Sequence, residues 1–398
     1  MTDLAARLAE RIRREGPLRF DVFQEAALYD PAGGYYERPG RIGRAGDFVT
    51  GPSWHPAFGR TIARIARKIW EEKREKEKGR EISEKGEEGG PTAARAPMEA
   101  AGVVDVVDVG AGEGELLAAA DSALLAWGIR EEFRLLGVER STARRERAQQ
   151  NCSGATWLSS LEEISSPVSG LIVAYEQFDA LPVRALFFDG ERLMERVVTL
   201  GPGGDGFAWD VAPCADGTEL LEQSRVRGIH LLRNQQLEIR PGAARLASAL
   251  SARLSRGLLL VFDYGAPARA LYSSARPNGT LEAFHAHSVT RDVLSEPGER
   301  DITAWVDFTE LHEAFAALGL DVAGPVSQAR VLSAAGIGAE LEDDPDRPPS
   351  AERAAERNAI ARLIAPGGMG ESIRVLLASR GSSVRETLLD WPRLVQSH

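Results

Sequence analysis

The sequence predicts an α/β protein built on a parallel, doubly wound sheet, with a helical segment ahead of the sheet and β and loop elements inserted into it. Three observations carry this prediction. Residues Val103 to Val109 are dominated by β-branched side chains, the composition of a strand buried on both faces. Glycines follow at alternate positions, Gly110, Gly112 and Gly114. Leu116, Leu117, Ala120 and Leu124 then recur at helical spacing. A strand, a glycine turn and a helix open a nucleotide-type α/β unit. There, glycine lets the backbone pass close under a ligand, and the helix N-terminus favours a negative group.

The glycine spacing narrows the ligand. A dinucleotide fingerprint needs G-x-G-x-x-G, and the position of its third glycine is held by Glu115. The pattern present is Asp108-x-Gly110-x-Gly112-x-Gly114. It resembles the first motif of class I S-adenosylmethionine-dependent methyltransferases, whose cofactor carries an ammonium, a sulfonium and no phosphate. Asp108 at the strand end can attract the ammonium. A second strand, Phe133 to Val138, ends in Glu139, which can accept both hydroxyls of a ribose. A nicotinamide oxidoreductase is disfavoured by Glu115.

Composition bounds the rest. The chain has 398 residues, enough for one large or two ordinary domains. Its net charge of −11 argues against general affinity for nucleic acid or anionic membrane, and suits a basic partner or substrate. Two cysteines, Cys152 and Cys214, with no Cys/His cluster, argue against a disulfide framework or a metal site and for a reducing compartment. No run is long and apolar enough to cross a membrane. The expectation is a cytoplasmic protein with no nucleic-acid partner and no membrane insertion.

In chain order, residues 3–14 read as a helix with Leu4, Leu8 and Ile12 on one face, and Phe20, Phe23, Ala27 and Leu28 as a second. A glycine- and aromatic-rich loop follows, with Tyr35, Tyr36 and then Gly46 to Thr50; it admits both a lid over a site and a structural cap. Phe58, Ile62, Ile65 and Ile69 mark an amphipathic helix. From Glu71 to Glu88 nearly every residue is charged, with both signs mixed. The chain therefore divides into an N-terminal helical cap over 1–70, a charged flexible linker or insertion over 71–101, and a core over 102–398. Leu171 to Ala174 and Leu258 to Phe262 are further core strands. Residues 183–240 and 266–308 read as insertions, the first an antiparallel hairpin or two.

These segments together carry a family resemblance. FDVFQEAALYDPAGGYY, GDFVTGP, VDVGAGEGEL, YEQFDALPV, VAPC, VFDYG, PGERDITAWVDFTEL and PGGMGE run in order through nearly the whole chain. They resemble the MidA family of class I S-adenosylmethionine-dependent methyltransferases, relatives of the mitochondrial complex I assembly-factor protein arginine methyltransferase. The resemblance implies a Rossmann-like methyltransferase sheet, S-adenosyl-L-methionine as cofactor, and methylation of an arginine in a partner protein, for which a respiratory-chain subunit is a candidate. The chain departs from the family at Tyr175, where Asn is common, and at Ala266, where His is frequent.

Arginine is a demanding acceptor, because its guanidinium is cationic at every ordinary pH. Carboxylates can hold it bidentately and localise its charge away from the attacking nitrogen. Glu176 and Asp179, three residues apart after a core strand, are the catalytic candidates. Asp179 also fits a helix cap or turn. The cofactor-binding candidates are Asp108, Gly110, Gly112, Gly114 and Glu139, with Asp47 and Thr50 closing over the ligand. No metal site is expected. Tyr175 and Phe178 admit either stacking on the cofactor or packing, and Asp263 either capping or chemistry. A small-molecule O- or N-methyltransferase, and a cofactor-binding assembly or scaffold protein without turnover, stay open as alternatives on the same fold.

Overall fold

The computed structural model describes residues 3–38, 50–86, 103–285, 288–342 and 350–390. Helix Asp3–Glu15 buries Leu4, Leu8 and Ile12 in one stripe. Strand β1 (Leu18–Arg19) and helix Phe20–Tyr29 follow, and then, beyond a short turn at Gly51–Trp54, the long helix Ala57–Gly86. Strands β2 (Val104–Val109), β3 (Phe133–Val138), β4 (Thr156–Leu158) and β5 (Val168–Tyr175) alternate with helices Glu115–Ala126 and Thr142–Asn151. The first insertion supplies β6 (Arg184–Phe188), β7 (Leu193–Leu200), β8 (Phe207–Pro213) and β9 (Gln236–Ile239). After helix Gly242–Arg253 comes β10 (Leu254–Ala266), and the second insertion gives β11 (Glu282–His285), β12 (Ser288–Thr290) and β13 (Asp301–Thr303). The chain ends with β14 (Val306–Asp307), helix Phe308–Ala317, β15 (Asp321–Ser327), helix Gln328–Ala334, helix Ala351–Arg362, β16 (Ile373–Arg380) and helix Val384–Leu389.

The main sheet runs β15-β16-β10-β5-β2-β3-β4, with β14 continuing beside β10. β2, β3, β4, β5 and β10 are parallel, while β16 is antiparallel to both its neighbours. Both faces are covered, and the strands read accordingly. In β5, Leu171, Val173 and Tyr175 face the core under helices Ala57–Gly86 and Glu115–Ala126, and Ile172 and Ala174 face the core under helices Gly242–Arg253 and Phe308–Ala317. This two-sided burial is why the core strands appear as unbroken apolar runs.

The N-terminal segment does not form one cap. β1 pairs with β7, so the first two helices pack on the second sheet, ordered β1-β7-β6-β9 with β8 on β7. Leu4, Phe20, Phe23 and Leu28 share a core there with Val183, Val198, Ala283 and Ile302. Helix Ala57–Gly86 belongs instead to the main sheet's core through Phe58, Ile62, Ile65 and Ile69.

The expected boundary at residue 71 is corrected as well. The helix continues unbroken from Ala57 to Gly86, through the first half of the charged tract. Arg67–Glu71 and Glu72–Lys76 pair at i,i+4 along it. Glu72 also docks on the turn between β16 and helix Val384–Leu389, accepting from Ser382 Oγ at 2.6 Å, Ser383 N at 2.9 Å and Ser383 Oγ at 2.8 Å. Residues 87–101 of the expected linker lie outside the described residues. Among the described residues no helix is long and apolar enough to cross a membrane.

Burial alone pushes the Glu72 carboxyl up, but the Lys76, Ser382 and Ser383 donors bring it down to about 2. A depressed carboxyl stabilises the fold above its ordinary range, and that contribution is lost as pH falls toward 2. Glu72→Ala should therefore destabilise the protein by about 1–2 kcal/mol at neutral pH, and by progressively less below pH ~4. Denaturant melts of both proteins at pH 7 and pH 3.5 check this.

Candidate active site

The sheet brings its strand ends to one level. Val109 of β2 lies opposite Val138 of β3 and Ala174 of β5, and Tyr175 opposite Phe262 of β10. Gly110, Glu139, Glu176 and Asp263 consequently emerge along one edge. The chain winds outward from β2 through β3 to β4, then returns to place β5 on the other side of β2. That is the switch point where open α/β sheets bind ligands. A cavity of about 350 Å³ opens there, and it is lined by Asp108, Gly110, Gly112, Glu139 and Thr50, and by Glu176, Asp179, Tyr29, Tyr36 and Asp301.

In the first half, Asp108 closes β2 and is 4 % exposed. No donor among the described residues hydrogen-bonds its carboxylate. Burial, then the charges of Glu115 and Glu139, push its carboxyl up to about 8. Such a group accommodates an ammonium well, since the cation supplies the charge that the protein withholds. The glycines divide the labour. Gly112 has φ +58, and a Cβ there would point into open space at the cavity, so this is where backbone meets ligand. Gly114, at φ +85, caps helix Glu115–Ala126, and a Cβ would lie 2.7 Å from the Trp157 ring. Its requirement is packing. Glu139 accepts from Gly112 N at 3.0 Å and Ser141 N at 2.8 Å, so it also fixes the glycine loop. Each of its oxygens keeps a second lone pair suited to a ribose hydroxyl.

In the second half, Glu176 has φ +49, a left-handed conformation uncommon for a residue with a side chain. Its amide is tied to Phe262 O at 2.8 Å. Its Oε1 is buried without a hydrogen-bond partner among the described residues. Burial, followed by the charges of Asp179, Asp263 and Asp301, holds its carboxyl well above the usual range. Asp263 is the cap of this turn. Its Oδ2 accepts from Phe178 N at 2.9 Å and Asp179 N at 3.3 Å, and its Oδ1 from Tyr264 N at 3.0 Å. Burial raises the Asp179 carboxyl to about 6 against the pull of Arg240 and nearby backbone N–H groups.

Thr50 lines the cavity and begins the turn Gly51–Trp54, its amide donating to Ser53 Oγ at 3.1 Å. Asp47 lies outside the described residues. Phe178 is a packing residue, whereas Tyr175 packs in the core and also lines the cavity. Tyr175 is stacked against Phe262 and met edge-on by Phe58, its hydroxyl donating to Gln328 Oε1 and accepting from Gly51 N, and Phe178 is fully buried. Cys214 touches Arg184 and Asp216, with burial and then Asp216 pushing its thiol up to about 11, so it is no nucleophile. Among the described residues no group of three or more His, Cys, Asp or Glu could hold a metal ion.

Sequence reasoning missed Gln177, Asp301, Arg140 and Arg144. The Gln177 amide lies directly against the Gly110 Cα, where a Cβ would meet it at 1.9 Å. The Arg140 guanidinium stacks over the Tyr29 ring at 4.7 Å and that of Arg144 over Tyr36 at 5.3 Å. Asp301 sat inside a recognised motif, PGERDITAWVDFTEL, and nothing local distinguished it from a loop carboxylate.

Comparison with known proteins supplies the family. The profile of an S-adenosyl-L-methionine-dependent methyltransferase family matches residues 94–326. The chain is 30% identical to a Burkholderia thailandensis protein solved bound to S-adenosyl-homocysteine, covering 95% of this chain and 92% of that one with a TM-score of 0.79. It is 27% identical over 358 residues to the mitochondrial protein arginine methyltransferase NDUFAF7 of Rattus norvegicus, spanning 86% of this chain and 76% of the relative. The human NDUFAF7 is 25% identical over 361 residues, 86% of this chain and 75% of the relative.

Two outcomes follow for the cofactor. Gly112→Val puts a β-branched residue at φ +58 and a side chain into the cavity, so S-adenosylmethionine affinity measured by calorimetry should fall at least ~10-fold in a protein that still folds. Asp108 has a raised carboxyl, so its contribution to stability is present below its unfolded value and lost as pH rises through about 8. Without cofactor, Asp108→Asn should thus gain melting temperature relative to the parent as pH goes from 6 to 9, while binding S-adenosylmethionine more weakly.

Proposed function

This chain belongs to the S-adenosyl-L-methionine-dependent methyltransferase family, and from that premise we propose that its methyl acceptor is an arginine side chain of a partner protein. The observation that carries the reading is Glu176: an acid held in a left-handed turn, lining the cofactor's own cavity, with one buried oxygen lacking any partner among the described residues. The relatives named as protein arginine methyltransferases support the same acceptor.

The chemistry asks two things of the chain. A guanidinium must be held with one terminal nitrogen turned to the methyl group, and its charge must be drawn toward the other nitrogens so that a lone pair becomes available. A carboxylate on the far side does both. Bound cofactor supplies the methyl group, whose C–S bond breaks with its electron pair kept by sulfur as the nitrogen lone pair forms the new N–C bond. The nitrogen then carries one proton too many. Glu176, whose carboxyl favours its protonated form, is placed to take it, with Asp179 as helper. Arrival of the guanidinium beforehand displaces the proton that Glu176 holds in the free protein, because the cation replaces it as the compensating charge. The cytoplasm is the compartment that the free, reduced cysteines favour.

A small-molecule acceptor would want an apolar pocket with a single base, and the acceptor half here holds several acids. The test is transfer of label from S-adenosylmethionine into lysate proteins, followed by mass spectrometry of the labelled residue. Methylarginine is the expected product. Label confined to small metabolites would overturn the reading, and no label at all beside tight cofactor binding would favour a scaffold. Glu176→Gln should cut methylarginine formation at least ~10-fold with cofactor affinity little changed, and should flatten the rise of rate with pH that ionisation of Glu176 produces. Asp179→Asn should have the smaller effect, because the Asp179 backbone is held by Asp263 and Arg240.

A further inference from the structure

We propose that Arg144 holds the carboxylate of the cofactor's amino-acid tail. The inference concerns the cofactor alone and stands apart from the choice of acceptor.

The cofactor poses a charge problem that the acids of the crevice leave open. Its tail carries an ammonium and a carboxylate on one carbon, and Asp108 suits only the ammonium. A carboxylate entering beside Asp108, Glu115 and Glu139 is repelled by all three unless a cation meets it. The described wall of the cavity offers two cations, Arg140 and Arg144. The Arg140 side chain is 60% exposed, faces Glu25 at 3.7 Å and stacks on Tyr29. Arg144 is only 8 % exposed.

Arg144 sits in the first turn of helix Thr142–Asn151. The neighbouring arginines of that helix are engaged with the protein. Arg145 donates through Nη1 to Glu139 O at 2.7 Å and to Arg140 O at 2.8 Å, and Arg147 Nε pairs with Glu113 Oε1 at 2.9 Å. Arg144 differs. Its guanidinium lies over the Tyr36 ring at 5.3 Å, a contact that uses the face of the group. None of its five N–H donors hydrogen-bonds another described residue. A buried guanidinium with its donors unused is unfavourable, and a bound anion removes that penalty.

The position fits the tail. Burial raises the Glu139 carboxyl, and Arg144 is the foremost group opposing that rise. Burial raises Glu115 as well, with Arg144 again among the groups that oppose it. After burial, the same two acids are what push up Asp108. Arg144 and Asp108 therefore neighbour the same pair of acids, as the two charged groups of one amino acid require. Glu115 also opens helix Glu115–Ala126, so the positive end of that helix adds to the guanidinium there. Tyr36 supplies a rigid platform. Its ring packs against Tyr29 and Tyr35 at 5.3 Å, and its hydroxyl donates to Asp301 Oδ1 at 2.7 Å. With its face fixed on that ring, the guanidinium turns an edge to the cavity, and an edge of two parallel N–H groups is what a carboxylate accepts.

The experiment compares two ligands by calorimetry. One is S-adenosylhomocysteine; the other is its decarboxylated form, which keeps the ammonium, ribose and adenine and lacks the carboxylate. The unaltered protein should prefer the first by at least ~10-fold. Arg144→Met keeps an unbranched side chain to pack on Tyr36 and removes the donors. It should weaken S-adenosylhomocysteine at least ~10-fold and leave the decarboxylated ligand within about twofold of the parent. Arg144→Lys keeps the charge and loses the paired donors, so it should weaken S-adenosylhomocysteine about threefold and again spare the decarboxylated ligand. Equal loss of both ligands would mean that Arg144 serves Glu139 and the ribose end, and would overturn the inference. An unaltered protein that binds both ligands equally would overturn it too, as would unchanged S-adenosylhomocysteine affinity in Arg144→Met. Where Arg144→Met fails to melt cooperatively, Arg144→Lys decides by the same comparison.

Discussion

The structure turns on buried negative charge gathered at the ends of parallel strands. Asp108 near the end of β2, Glu139 after β3, Glu176 after β5 and Asp263 near the end of β10 reach the same edge because the register of four adjacent strands is level. Burial raises the carboxyl of each one. Only Asp263 spends both oxygens holding protein backbone at its own turn, and Glu139 divides itself between the glycine loop and the cavity. A crevice of this kind is electrostatically unfinished, and the ligands that finish it are cations. The ammonium and sulfonium of the cofactor meet that condition, and so would the guanidinium proposed as acceptor.

Around this edge the second sheet and the N-terminal helices act as a frame. Tyr29 ties its hydroxyl to Ala180 O at 3.1 Å, beside the turn that carries Glu176. Arg140 and Arg144, which follow Glu139 directly in sequence, lay their guanidinium planes on Tyr29 and Tyr36. The segment that carries Glu139 and the segment that carries Tyr29 and Tyr36 are thus in direct contact. Neither half of the cavity is built by a single stretch of chain.

How much of this was legible depends on the range of the interaction. Strand β2, its glycines and Glu139 are local patterns, and periodicity with turn chemistry exposes them. The main sheet was legible for the same reason, since two-sided burial writes itself as Leu171 to Ala174 and Leu258 to Phe262. The division of labour among the glycines was not, because the constraint on Gly114 is a tryptophan that approaches from β4. The charged tract misled at residue 71, since composition cannot show that Glu72 meets two serines more than three hundred residues later. Asp301 stayed invisible for the same reason: it looks ordinary until the second insertion folds onto the N-terminal segment and meets Tyr36. Phe178 resolved as packing once β10 was seen beside β5.

The pairing of Leu18 with Val198 and Arg19 with Val197 has a consequence for how the chain reaches its native state. The first helices leave the ribosome with Leu4, Leu8, Phe20 and Phe23 facing a partner strand that has yet to be synthesised. Closing that contact late has an entropic cost, which the intervening sheet lowers by folding first and drawing the ends together. Until β7 arrives, an apolar surface waits exposed at the N-terminus. During synthesis this is the part of the molecule most exposed to aggregation, and the natural place for a chaperone to hold it.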